Sequence, residues 1–389
     1  MSELKSQVDS HRLEALDLAK GVIMIVMAID HASALIAKVH FSEFWGIGLP
    51  DYNNNLLHFF TRYITHICAP GFFLFMGVGM VWFRQKRLAK GWSENQISGY
   101  FLKRGVVILL IHQFVELPLW GIGLLSNQLD ISGPAAPGIV APYQYLFLGV
   151  LFSLALSMII WGLIIRIRTS AILVISVAAA LLTQYLVPNA LQSSAEIASW
   201  QAIFYLPGRH HFGYVFYPIL PWMFMSGMGL VIGRLLYKKG VAAMPQLLGW
   251  GIAVLVAFLG IKLFNSFGNL TVVSTEGIIP FLRTTKYPPS LTFLLFGLGT
   301  NLLLLFAFSK IHLPAAISRV ISVFGKTAMF FYLAHLLVYG ILSHLFPLGL
   351  HVGLMYLFWL LGLAILYPIC TWYIGFKRRK GPTSLWRFI

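Results

Sequence analysis

Charge is scarce in this chain. Only 10% of its 389 residues are Asp, Glu, Lys or Arg, against about 25% in soluble domains. No polar stretch is long enough to form a large soluble domain. Cysteine is nearly absent as well. Cys68 and Cys370 lie in separate apolar segments and make no metal-ligand or redox spacing. The sequence lacks a GxSxG elbow, a Walker A loop, an HExxH zinc helix and a dinucleotide GxGxxG. Hydrolase, ATPase and dehydrogenase readings therefore have no support. Heptads, internal repeats and low-complexity tails are missing too.

What is present is hydrophobicity, at 58% apolar residues. Ten apolar segments are long enough to be spans: 18–39, 64–83, 104–125, 143–165, 171–187, 215–237, 246–264, 290–308, 327–346 and 352–376. They predict an all-α fold, a polytopic membrane helix bundle of about ten transmembrane helices. The formal net charge of +16 is not a nucleic-acid signature. With the N-terminus inside, all Lys and Arg fall on the cytoplasmic side except Lys38, Arg62, Arg209, Lys262, Arg283 and Lys286. Both termini are thus expected to be cytoplasmic. Residues 1–17 form an N-terminal segment, 18–376 the transmembrane domain and 377–389 a basic tail. The first apolar run is too long for a signal-peptide core and is read as a retained helix. Gly229 and Gly233 form a GxxxG that predicts close helix packing.

Asp30 and His31 sit inside the first apolar segment. Ionisable groups at that depth are costly and mark functional sites by default. Lys20 and His31 are 11 residues apart, close to three helical turns, so they share a face about 16 Å apart along the axis. A surface cation in line with a buried imidazole suits a long, phosphate-headed donor such as coenzyme A. Adjacent helical residues do not face each other, so Asp30 cannot orient His31, and the partner must come from another helix. Glu116, at matching depth in the third segment, is the expected partner. His112 lies one turn below it, and His66 and His335 lie at compatible depths, so these residues could form one polar track. A neutral imidazole can take a proton from an acceptor hydroxyl or amine, and a nearby carboxylate stabilises its charged form. The outer connections are longer than the cytoplasmic ones, and loops carry function more often than scaffold. Lys286, next to Tyr287, two prolines and the expected helix cap Ser290, is placed to touch an acceptor sugar or an anionic lipid head.

The run Arg12-Leu13-Glu14-Ala15-Leu16-Asp17-Leu18-Ala19-Lys20-Gly21, followed by Asp30-His31, resembles the opening of the heparan-α-glucosaminide N-acetyltransferase-like bacterial membrane proteins. Thr65-His66-Ile67-Cys68-Ala69-Pro70, Tyr217-Pro218-Ile219-Leu220-Pro221-Trp222, Lys286-Tyr287-Pro288-Pro289-Ser290-Leu291, and Gly325-Lys326 through Tyr332 to His335 extend the resemblance in order. The wider group is similar to the transmembrane acyltransferases, including the acyltransferase 3 sugar O-acylases, which carry Arg where this chain has Lys20. The resemblance implies a cytoplasmic acyl-CoA donor (acetyl-CoA first) and a sugar or glycolipid acceptor on the far side of a bacterial inner membrane, with no metal. It makes His31 the candidate catalytic histidine, supported by Asp30 or Glu116. It places Lys20, Arg12 and His335 toward the donor, and His66, Lys286, Tyr287 and Trp222 toward the acceptor. The family's lysosomal enzyme carries its candidate histidine in the loop after the first span, so His40 and His58 compete with His31. Buried Asp, Glu and His also serve as proton relays, which makes a proton-coupled transporter of a small polar solute the alternative. No inverted repeat or paired broken helices support that alternative. Oligomeric state is open, a homodimer included.

Overall fold

The computed structural model describes residues 2–39, 43–45, 49–50, 52–125, 146–192, 198–210, 212–274, 276–381, 384 and 386. Within these, the side chains of residues 2–13, 53, 124–125, 191–192 and 209 are not described. The Arg12 side chain and all of His40 therefore lie outside the described residues.

The first helix, α1 (Ser2–Leu35), is the axis of the bundle. It packs against α3 (Cys68–Leu88), α12 (Leu291–Phe308), α13 (Ala315–Lys326), α14 (Ala328–Ser343) and α15 (Val352–Arg379). Small residues make this crowding possible: Ala15, Ala19, Ala28 and Ala32 of α1 are all fully buried. The α1 helix ends where Lys38 adopts φ 58°. Its ammonium turns back to donate to the Leu35 carbonyl at 2.8 Å, a favourable place for a cation at a helix C-terminus. Burial lowers the Lys38 ammonium to about 8.

Around the axis, α2 (Leu56–Tyr63) runs through a 3-10 turn at Ile64–Ile67 into α3. Asn55 starts α2 by accepting from the Leu57 and His58 amides. Ser93 and Gln96 form a capping box at the start of α4 (Glu94–Ile111), which passes through a π turn at His112–Glu116 into α5 (Leu117–Leu125). Then follow α6 (Val150–Ile164), α7 (Thr169–Gln192), α8 (Ser199–Phe204), α9 (Ile219–Lys239), α10 (Met244–Phe264) and α11 (Ile278–Leu282). Ser290 caps α12, accepting from the Phe293 amide at 3.1 Å.

By length and composition, seven helical runs among the described residues can cross a membrane, or eight with the α13–α14 pair, which bends by 92°. The ten expected spans are thus reduced for identifiable reasons. The α6 helix has only 15 residues, and α9 and α10 run together as one 46-residue stretch through a turn at Gly240–Ala243. The all-α expectation needs one amendment. A small sheet of β1 (Leu146–Leu148), β2 (Gly208–His210) and β3 (Gly213–Val215) has the order β1-β3-β2. Strand β3 pairs parallel with β1 and antiparallel with β2.

Close helix approach depends on specific glycines. A Cβ on Gly77 would lie 2.2 Å from the Ser226 carbonyl oxygen, and one on Gly229 would lie 2.0 Å from that of Leu74. The GxxxG of α9 is therefore a packing face against α3. Ala at Gly229 is expected to cost about 1–3 kcal/mol through overpacking. Ala at Gly79, which meets nothing within 4 Å, is expected to leave the melting temperature unchanged. Thermal unfolding of the two variants side by side checks this.

Candidate functional site

Asp30 and His31 leave α1 in different directions and enter two different polar clusters. The first cluster is built on charge. Arg62 of α2 reaches both Asp30 carboxylate oxygens from one nitrogen, at 2.6 and 2.8 Å. Its other two nitrogens donate to Glu43 at 2.9 and 2.8 Å. Glu43, fully buried in the segment after α1, also accepts from Tyr52 at 2.9 Å and His66 at 3.2 Å. Burial alone would push the Glu43 carboxyl up. The Arg62 charge, with the hydrogen bonds from His66 and Arg62, outweighs that and holds it well below the usual carboxylate range. The Glu43 carbonyl accepts from the Lys286 and Tyr287 amides, both at 3.0 Å. This backbone contact ties residues 43–45 to the segment before α12.

A small cleft, with room for about one water, opens beside this cluster, lined by Asp30, Ser33, Val39, His58, Thr61, Arg62 and Val352. Its polar lining comes from the end of α1 and from α2. Thr61 is hydrogen-bonded to Tyr356 at 2.8 Å and Ser33 to the Val39 carbonyl at 2.7 Å.

The second cluster lies on the His31 side of α1, against α5 and α14. His31 Nδ1 and His335 Nε2 are 2.5 Å apart, and the two rings stack with centroids at 4.8 Å. Trp120 meets His31 edge-on at 4.9 Å. The protonation pattern follows from the partners. His335 Nδ1 faces the Phe331 carbonyl at 3.0 Å, which can only accept, so that nitrogen carries the proton. His335 Nε2 is then an acceptor, and His31 Nδ1 donates to it. In the neutral His31 ring this leaves Nε2 as the basic nitrogen.

Glu116 is committed elsewhere, which corrects the expected His31–Glu116 pairing. The π turn sets Glu116 over His112, and the two bond at 2.6 Å. The hydroxyl of Tyr332 donates to the other Glu116 oxygen. His112 Nε2 faces the Phe147 carbonyl of β1 at 2.7 Å. His112 Nε2 also lies 3.5 Å from the Gly149 amide, so β1 and the start of α6 hold the ring on one side and Glu116 on the other. Glu116 meets His31 only indirectly, through Tyr332, whose ring lies 6.4 Å from that of His31. The single expected polar track is therefore two tracks divided by α1. His66 belongs to the Asp30 side, while His335, Glu116 and His112 belong to the His31 side.

The remaining expected residues are scattered. Lys20 is paired with Asp17 at 2.7 Å and is partly exposed. Near it, α13 crosses α1 so closely that a Cβ on Gly325 would lie 1.8 Å from the Asp17 carbonyl oxygen. Trp222 is fully buried, stacked on Phe73 at 4.8 Å and against Tyr217 at 5.1 Å. It is core packing between α3 and α9, which removes it from any open acceptor surface. Tyr287 is buried beside Phe44 and Phe216, at 4.8 and 4.1 Å. Lys286 is 4% exposed and sits over the Tyr287 ring at 5.3 Å. Glu43 and Tyr332 were not foreseen as site residues, and Arg62 was read only as an outer-side cation. For Glu43 and Arg62 the signal was the rarity of charge itself. Among the described residues no cluster of three His, Cys, Asp or Glu side chains could hold a metal ion.

No curated protein matches the chain. The model of one family, described as "Heparan-alpha-glucosaminide N-acetyltransferase, catalytic", matches residues 12–265. That segment contains most of α1, with Asp30 and His31, the whole Glu43–Arg62–His66 network and the His112–Glu116 turn. It covers well over half of the sequence, and the chain belongs to this family.

Proposed function

We propose that this protein is a membrane-embedded acyltransferase that moves an acyl group, acetyl first, from acyl-CoA to a sugar or glycolipid acceptor, with His31 as general base. Family membership and the helical bundle support an acyltransferase-type membrane enzyme. The observation that carries the finer reading is the chain Phe331 carbonyl, His335, His31. It fixes the His31 tautomer as the orienting partner of a catalytic histidine does. His31 Nε2 takes the proton of the attacking acceptor group. The new acyl bond forms as the thioester C–S bond breaks, and the proton passes from His31 to the departing sulfur. Meanwhile the Nδ1–H to His335 bond supports the charged ring.

The acceptor reaches the His31 side of α1 from the far side of a bacterial inner membrane. Lys20, with Arg12 near it in sequence, meets the donor phosphates on the cytoplasmic side, where both termini lie. Acyl-CoA phosphates would compete with Asp17 for the Lys20 ammonium.

Acetyl-CoA binding, measured by calorimetry on the purified protein in detergent, tests this reading. Saturable binding is expected, weakened about tenfold in Lys20→Ala by loss of one charge-assisted contact and retained in His31→Ala. If neither acetyl-CoA nor longer acyl-CoAs bind, the donor assignment falls. Uptake that follows a proton gradient would then favour the transporter.

A further inference from the structure

Apolar surface, aromatic rings and positive charge follow one another along a single exposed face of α15. Leu361, Ile365, Trp372 and Arg379 are all exposed. At 3.6 residues per turn, these four point within about 40° of one another. The strip passes Trp372 and ends at Arg378 and Arg379, both exposed, in the last turn of the helix. Arg379 stands about 10 Å beyond Trp372 along the axis. Further rings gather at this level. Trp372 stacks on Phe376 at 5.4 Å, and Trp386 meets Phe376 edge-on at 5.3 Å. The Trp386 carbonyl accepts from the Tyr373 hydroxyl at 3.3 Å. Lys377 and Lys380 lie over the rings of Tyr373 and Phe376, at 6.0 and 4.6 Å. No Asp or Glu follows Glu276 in the sequence, so none from α12 to α15 answers these four cations.

Another helix end in the same molecule shows that charge alone does not make this arrangement. The α9 helix also finishes in exposed lysines, Lys238 and Lys239, next to an exposed Tyr237. The helix above them is packed into the bundle, with Met225, Gly229, Ile232 and Leu236 buried. It has the cations without an apolar strip leading to them, whereas α15 has both in line. We infer that the end of α15 is a binding site for an anionic phospholipid. An acyl chain lies along Leu361 and Ile365, the glycerol region meets Trp372, and Arg378 and Arg379 hold the phosphate. Apolar strip, aromatic ring and cation is the order of a lipid from tail to headgroup, with aromatic residues at the interface and basic residues beyond it. A guanidinium pairs with phosphate oxygens through two parallel hydrogen bonds. A zwitterionic lipid brings its own ammonium up against four cations, so the site selects a headgroup with net negative charge. The site depends on the bundle lying in a membrane and not on the acyl-transfer chemistry.

Native mass spectrometry of the detergent-purified protein, titrated with dioleoyl phosphatidylglycerol and dioleoyl phosphatidylcholine, tests the site. Phosphatidylglycerol is expected to bind at least about fivefold more tightly than phosphatidylcholine, the worth of one basic side chain at a charged membrane surface. Arg378→Gln combined with Arg379→Gln is expected to weaken phosphatidylglycerol by about 25-fold, roughly fivefold for each cation, and to leave phosphatidylcholine unchanged. Both arginines are exposed, so the double variant keeps its fold. Lys238→Gln combined with Lys239→Gln removes the same charge from the end of α9 and is expected to leave phosphatidylglycerol binding unchanged. The inference is overturned if the two lipids bind alike, if the α15 variant binds like wild type, or if the α9 variant loses as much. Displacement of phosphatidylglycerol by coenzyme A would give the cations to the donor and overturn it as well.

Discussion

Replacing Arg62 by methionine is expected to destabilise the protein by about 3–5 kcal/mol, the cost of removing one partner from a buried ion cluster. The guanidinium uses all three of its nitrogens, on Asp30 and Glu43. Its removal leaves a fully buried carboxylate and a second, largely buried one without their counter-charge. Thermal unfolding in detergent should register this as a loss of roughly 5–10 °C. A melting temperature equal to wild type would mean that the cluster contributes no net stability. Adding Glu43→Gln to Arg62→Met should cost less than the sum of the two single changes, because the residues share one network. The same cluster sets a pH dependence. Glu43 is held below its ordinary value of 4.5 in the folded protein. Its contribution is complete above that value and is lost as pH falls through the lower, folded value. Melting curves taken from pH 5 downward should therefore drop more steeply for wild type than for Glu43→Gln.

His31→Ala is expected to lower acyl transfer by about 10²–10⁴-fold, the usual worth of a general base, while the protein still binds acyl-CoA. His335 acts through His31, so its variants should split by chemistry. His335→Gln keeps an acceptor for the His31 Nδ1 proton and should retain much of kcat. His335→Leu leaves that proton without a partner and should lose most of kcat with little change in KM for the donor. Equal behaviour of the two would reduce His335 to packing. Full activity in His31→Ala would move the base elsewhere, first to His58, which lines the cleft.

Neither prediction could be written from the sequence alone, although part of each was legible there. Membrane class, the approximate helical segments, the caps at Ser290 and the packing role of Gly229 follow from one-dimensional pattern, because hydrophobic length and local capping chemistry depend on near neighbours. The importance of Asp30 and His31 was equally legible, since any ionisable group in so apolar a segment carries a cost that something must offset. That the two diverge also follows from helical geometry. Their partners were not legible. Depth estimates put Glu116, His112, His66 and His335 at similar heights, but height says nothing of direction around a helix axis.

Tertiary structure decided the rest. It gave His31 to His335, 304 residues away. It closed Glu116 onto His112 through a π turn that no apolar periodicity announces. It drew Glu43 out of a loop to become the buried centre of a charge cluster with Arg62, His66 and Tyr52. The physical reason is the same in each case. The sequence determines which groups cannot be left alone in an apolar medium, and only the packing of distant helices determines which of them satisfy one another.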